Sequence, residues 1–161
     1  MGVLISVESL EKAVAKIDNL DDDSLEKLSE TYTNQQPELI GYILSSGIEY
    51  ENDTLMELLI YYYMIFTEAV MQQGLSLQPI NDEMIDAFQE EYLEVMEEYM
   101  NEENFEVIDS FCNQNVLLYF LMQELEMEDE DGEKIDEETG SLLFMVGIAL
   151  ISIIDRNIRE L

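Results

Sequence analysis

Two pairs of carboxylates have the spacing that metal-dependent chemistry needs. Glu91-x-x-Glu94 and Glu106-x-x-Asp109 each place two acids three residues apart, which puts both on the same side of a helix. If the two segments form a helical hairpin, the four carboxylates approach one another. Carboxylate oxygens are preferred ligands of Mg²⁺, and a bound Mg²⁺ could promote attack on a nucleotide diphosphate. The four residues are therefore a candidate metal site.

This layout is similar to the acidic motif of all-helical nucleotide pyrophosphatases. The resemblance implies an Mg²⁺-dependent reaction on a nucleotide substrate, with the same four side chains as metal ligands. No Lys or Arg accompanies the motif, although a substrate with several phosphates calls for such donors. The same residues also fit a solvated acidic face, because 38 of the 161 residues are Asp or Glu.

The segment from Met127 to Glu138 partly matches a calcium-binding loop. Asp129 and Asp131 precede Gly132, and Glu138 falls at the twelfth position, where such loops place a glutamate. Met127 stands at the first position, where an acid is expected. The segment is a candidate degenerate Ca²⁺ site or an ordinary acidic loop, and no other cofactor is indicated.

A third set of carboxylates forms a row on the fifth predicted helix. Glu83, Asp86, Glu90, Glu94 and Glu97 recur at intervals of three and four residues, so we expect them on one side of the helix, about 5 to 6 Å apart. Phosphates along a nucleic-acid strand are spaced on a comparable scale. Neighbouring like charges cost a helix a few tenths of a kcal/mol per pair, so the row does not serve helix stability. We expect it to face a basic partner.

The charge of the whole chain limits the class of partner. Six Lys and Arg stand against 38 Asp and Glu, for a net charge of −32, and no basic residue occurs between Leu28 and Glu133. The resulting field attracts basic proteins and repels nucleic acids and anionic membranes. We therefore expect a non-enzymatic interaction protein that binds a basic partner, by physical analogy with nucleic-acid mimics and nuclease-immunity inhibitors. The alternatives are the metal-dependent pyrophosphatase and a protein whose acidity serves only solubility.

Several kinds of chemistry are excluded by residue type. The chain has no His, so it holds no imidazole-based triad. Its single Cys112 permits no internal disulfide, and its apolar neighbours predict a small buried side chain. With no basic residue before a signal-like apolar stretch, we expect a cytoplasmic protein. The longest uncharged run, residues 139–154, is shorter than the roughly 20 residues of a membrane span and predicts a buried helix.

Apolar residues recur with helical spacing throughout the chain. Together with capping and stop residues they predict seven helices, at residues 3–17, 23–34, 37–47, 53–73, 81–100, 105–127 and 136–159. No alternating pattern is long enough to predict a sheet. We expect an all-α fold, one domain over residues 1–161, built as an antiparallel bundle of six to seven helices with the fourth, sixth and seventh at its centre. A monomer and a homodimer are equally open.

Overall fold

The computed structural model describes residues 3–127, 132 and 134–160. Within these ranges the chain forms α1 (Val7–Asp18), α2 (Asp22–Gln35), α3 (Pro37–Glu49), α4 (Asp53–Gln72), α5 (Asp82–Glu102), α6 (Glu106–Phe111), α7 (Asn115–Glu126) and α8 (Glu137–Arg156). Two short strands, β1 (Leu75–Leu77) and β2 (Ile158–Glu160), pair antiparallel. The predicted all-α fold is confirmed, with eight helices in the described residues instead of six or seven.

Most helices begin at a residue whose side chain caps the first turn. Asn52, Asn81 and Asp136, each at or next to the predicted start of its helix, accept hydrogen bonds from the backbone N–H groups three residues later, at 3.0, 2.9 and 2.8 Å. The second helix begins at Asp22, one residue earlier than predicted, and Asp21 is its cap. Each cap satisfies a backbone donor that the helix itself leaves unpaired.

The first helix starts later than predicted. Ser6 is its N-cap, and residues 3–5 are held by two glutamine side chains instead. Gln114 accepts a hydrogen bond from the N–H of Ile5 at 2.9 Å and donates to the carbonyl of Val3 at 2.7 Å. Gln73 donates to the carbonyl of Leu4 at 2.7 Å. These bonds replace helical ones, so the prediction of a helix from residue 3 is wrong.

The predicted sixth helix is two helices. The chain is extended at Cys112 and resumes a helix at Asn115, so α6 has only six residues. The break lies next to Gln114, which is buried and whose amide also donates to Asp155 Oδ1 at 2.8 Å. It shifts the faces of α7 relative to α6. Tyr119, which would lie on the core face if the predicted helix at residues 105–127 were continuous, is 58% exposed.

Helices α4 and α8 form the centre of the fold, as predicted, with α7 packed against α8. Residues 62–70 of α4 are buried without interruption, and residues 147–154 of α8 likewise. Both helices are long and apolar enough to cross a membrane by length and composition, but more than half of each apolar window is buried inside the bundle. Buried core helices pass the same test.

Candidate functional site

The α5 carboxylate row, defined as Glu83, Asp86, Glu90, Glu94 and Glu97, lies on the outer side of α5. All five residues are exposed, as their spacing predicted. The inner side of α5 is apolar and buried, with Ile85, Phe88, Tyr92 and Met96 facing the core. At a rise of about 1.5 Å per residue, the row extends over about 21 Å.

Aromatic contacts fix α5 to the rest of the bundle. The rings of Phe88 and Tyr92 stack with centroids 5.2 Å apart, and the ring of Phe111 in α6 lies 5.8 Å from that of Phe88. The Tyr92 hydroxyl donates to the carbonyl of Met145 in α8. Burial raises the pKa of Tyr92, so this hydroxyl stays protonated. The row is therefore carried on a helix anchored along its inner side.

The row has no cationic partner among the described residues. The salt bridges found there join Lys12 to Glu8, Lys16 to Glu68, Lys134 to Glu126 and Arg156 to Glu91. The nearest of these to the row is the Arg156 pair, with Nη2 2.6 Å from Oε2 of Glu91. The guanidinium of Arg156 also lies over the rings of Phe88 and Phe111, at 5.1 and 5.0 Å. That cation is thus held at the neighbouring side of α5, by Glu91 and two rings.

The four carboxylates proposed as a metal site do not gather into one. Among the described residues, which include Glu91, Glu94, Glu106 and Asp109, no three acidic, Cys or His side chains are placed to hold a metal ion. α6 does fold back onto α5, but aromatic rings make that contact. Glu91 is paired with Arg156, and Glu94 belongs to the exposed row. The predicted hairpin therefore forms, but its four carboxylates make no cluster that could hold a metal ion in the described structure.

The calcium-loop hypothesis falls largely outside the described residues. Asp129 and Asp131 lie outside the described residues. Of the other positions, Met127 and Glu138 are exposed, and Gly132 has a positive φ of 78°. The Ca²⁺ site stays a prediction.

One buried carboxylate was not predicted from the sequence. Glu68 in α4 is 2% exposed and receives Lys16 Nζ at 2.8 Å, the Tyr32 hydroxyl at 2.7 Å and the Gln72 amide at 2.9 Å. Burial acts to raise the pKa of Glu68, but the hydrogen bonds and the charge of Lys16 outweigh it, and the pKa is lowered. A single acid within an apolar helix was the available signal. Both carboxylate oxygens of Glu68 already accept hydrogen bonds from neighbouring side chains, so this residue stabilises the fold.

The single cysteine of the chain is not an exposed nucleophile. Cys112 is buried and free, and burial raises the pKa of its thiol. A protonated buried thiol is a poor nucleophile. The small hydrophobic role predicted for this residue agrees with its position.

Comparison with known proteins gives no match: no family description, no curated protein sequence and no solved structure matches this chain. The class of protein is therefore defined by the fold and the surface alone. It is an acidic all-α bundle that carries an exposed, unneutralised row of carboxylates on an anchored helix.

Proposed function

We propose that this protein binds a basic macromolecule through the α5 carboxylate row. The observation that carries the proposal is that all five side chains of the row are exposed while none forms a salt bridge with a described Lys or Arg. Carboxylates set about one helical turn apart can meet cationic side chains that normally contact successive phosphates. Association then gains from the release of counterions around both partners.

The overall charge supports the same class of partner. With a net charge of −32, the protein attracts basic surfaces over a distance of about one Debye length, roughly 8 to 10 Å at physiological salt. This long-range attraction is nonspecific, whereas the fixed geometry of the row is what can select a groove shaped for a phosphate backbone. The partner class is therefore a basic nucleic-acid-binding protein.

The proposal can be tested by competition with DNA. A fluorescent duplex oligonucleotide is bound to each of several purified basic DNA-binding domains, and displacement by the acidic protein is followed by anisotropy at increasing salt. We expect displacement from at least one domain, weakening steeply as salt rises. The row variant carries Glu83→Gln, Asp86→Asn, Glu90→Gln, Glu94→Gln and Glu97→Gln, and it should lose displacement.

A matched variant separates the row from bulk charge. Five exposed acids on α1, α2, α3 and α8 are neutralised together: Glu11, Glu30, Glu38, Glu49 and Glu138. This changes the net charge by the same amount and should leave most of the displacement intact. Equal loss in both variants would overturn the row and indicate attraction by bulk charge alone. No displacement by the wild type from any domain would overturn the proposal and favour acidity that serves solubility.

A further inference from the structure

Helix α2 is only partly seated on the core. Leu25, Leu28 and Tyr32 form its apolar stripe, but Tyr32 is 7% exposed while Leu25 and Leu28 are only half-buried. The C-terminal half is fixed because the Tyr32 hydroxyl donates to Glu68 and the Tyr32 carbonyl accepts a 2.6 Å hydrogen bond from Tyr63. No comparable contact holds the N-terminal half in the described structure. An apolar cleft remains there between α2 and α4.

The cleft, which we call the α2–α4 groove, has a volume of about 470 Å³. Its apolar walls are Leu25, Leu44, Met56, Ile60, Tyr61 and Met64. It follows α2 from residue 22 to 29 and α4 from residue 56 to 64, which at about 1.5 Å per residue is about 10 to 12 Å, or two helical turns. Its length therefore suits two or three side chains from one face of a short helix.

The rim of the α2–α4 groove is acidic. Asp22, Glu26 and Glu57 line it and are exposed, and no Lys or Arg lines it. The hydroxyl of Tyr61 donates to Asp18 at 2.7 Å, which places a fourth carboxylate beside the groove. A second copy of this chain would bring a further charge of −32 and is disfavoured by repulsion. The complementary occupant has apolar residues flanked by positive charges.

We propose that the α2–α4 groove binds one face of a basic amphipathic helix. Apolar side chains of the partner, at spacings of three and four residues, enter between α2 and α4, and flanking Lys or Arg side chains meet Asp22, Glu26 and Glu57. Met56, which is only partly buried, suits this role because the flexible thioether side chain adapts to differing apolar partners. The proposal rests on the proposed preference for basic partners, but it uses a surface separate from the α5 carboxylate row.

The first test compares two peptides of identical composition. One is an 18-residue peptide of Leu and Lys with helical amphipathic spacing and one Trp on its apolar face; the other has the same residues in scrambled order. The protein contains no Trp, so Trp emission reports only the peptide. We expect a blue shift and binding of the amphipathic peptide about tenfold tighter than the scrambled one, a difference of about 1.4 kcal/mol. Equal affinities would overturn the groove and indicate purely ionic attraction.

Charge-reversal variants locate the binding surface without disturbing the core. Glu26→Lys with Glu57→Lys alters the rim of the groove, and Glu90→Lys with Glu94→Lys makes the same change of charge on the α5 row. The rim variant should weaken amphipathic-peptide binding about tenfold, while the variant with Glu90→Lys and Glu94→Lys retains it. Equal weakening in both variants would overturn the assignment to the groove.

The two proposals fail separately. If the row variant loses DNA displacement but still binds the peptide, the result supports binding of a basic macromolecule by the α5 carboxylate row, whether or not the α2–α4 groove binds a helix. A peptide that binds wild type and rim variant equally overturns the groove and leaves the DNA-displacement result unaffected. Leu25→Gln is a second test of the groove, because it removes one of the apolar walls. If its circular dichroism spectrum is that of the wild type, the variant should also bind the amphipathic peptide more weakly.

Discussion

Lys16 Nζ lies 2.8 Å from Oε1 of Glu68 and joins a half-exposed cation on α1 to a carboxylate buried in α4. The pair is completed by the hydroxyl of Tyr32, so α1, α2 and α4 meet at one acid. In a chain with six Lys and Arg, one cation is thus used to neutralise an interior charge. The pair holds together the elements beside which the α2–α4 groove opens.

Removing the cation of this pair should destabilise the fold. Lys16→Met leaves the Glu68 carboxylate buried with only neutral donors. Breaking a buried pair costs several kcal/mol, and the partial exposure of Lys16 reduces that, so we expect the free energy of unfolding to fall by about 2 kcal/mol. Urea denaturation followed by circular dichroism measures it. Lys12→Met is the control, because Lys12 pairs with exposed Glu8 on the same helix. A similar loss of stability in both variants would contradict the assignment of Lys16 and Glu68 as a stabilising buried pair.

The pH dependence of stability should contain a contribution from Glu124. Burial raises the pKa of Glu124, the nearby charge of Asp18 adds to the rise, and the hydrogen bond from Tyr62 opposes it. The folded state therefore binds this proton more tightly than the unfolded chain, whose glutamate pKa is about 4.3. Stability should increase as pH falls from 7 through the raised pKa. Glu124→Gln should reduce the increase in melting temperature between pH 7 and 5.

Glu68 should act in the opposite direction and at lower pH. Its pKa is lowered in the folded state, so its stabilisation is present above the unfolded value of about 4.3 and is lost as pH falls through the folded pKa. Glu68→Gln should leave the profile between pH 7 and 5 unchanged in shape and flatten the decline in more acidic solution. An identical profile for Glu124→Gln and Glu68→Gln would refute the opposite signs.

Glycine at position 147 permits the close approach of α8 and α7. A Cβ there would lie 2.6 Å from Cδ2 of Leu121, a fully buried side chain with little room to shift. We expect Gly147→Ala to lower the free energy of unfolding by about 2 kcal/mol through overpacking. Gly140→Ala, in the same helix and with no heavy atom within 4 Å, should be neutral or stabilising by up to about 1 kcal/mol. Thermal melts of the two variants measure this difference. Equal stability of Gly147→Ala and Gly140→Ala would show that α7 and α8 can move apart without cost.

The N-terminal segment should depend on the Gln114 side chain. Gln114→Ala removes hydrogen bonds to Ile5, Val3 and Asp155 and leaves buried polar groups unpaired, at a cost of about 2 kcal/mol. Faster hydrogen exchange at the Ile5 amide reports release of the segment. Gln123→Ala, at an exposed position of α7, should leave that exchange rate unchanged. Protection that survives in Gln114→Ala would mean that Gln73 alone holds the segment.

Local patterns predicted most of the helices because caps and apolar spacing act within a few residues. Asn52, Asn81 and Asp136 cap helices whose starts were predicted at or next to these residues. The break at Cys112 and the late start of α1 were missed because both involve Gln114 and the segment at Val3, which are distant in the chain. The three-residue strands were missed because strand pairing joins Leu75 to Glu160, and each strand is too short to show alternation.

The sequence by itself determined the helical class, the excess of negative charge and the side of α5 on which the acidic row lies. These follow from residue type and from a spacing of three to four residues, which any helix converts into one face. Only the tertiary structure decided which carboxylates remain free. Arg156 is drawn to Glu91 and Lys16 to Glu68 because packing brings residues from remote helices together. The row on α5 stays unneutralised because no described cation reaches its side of the bundle.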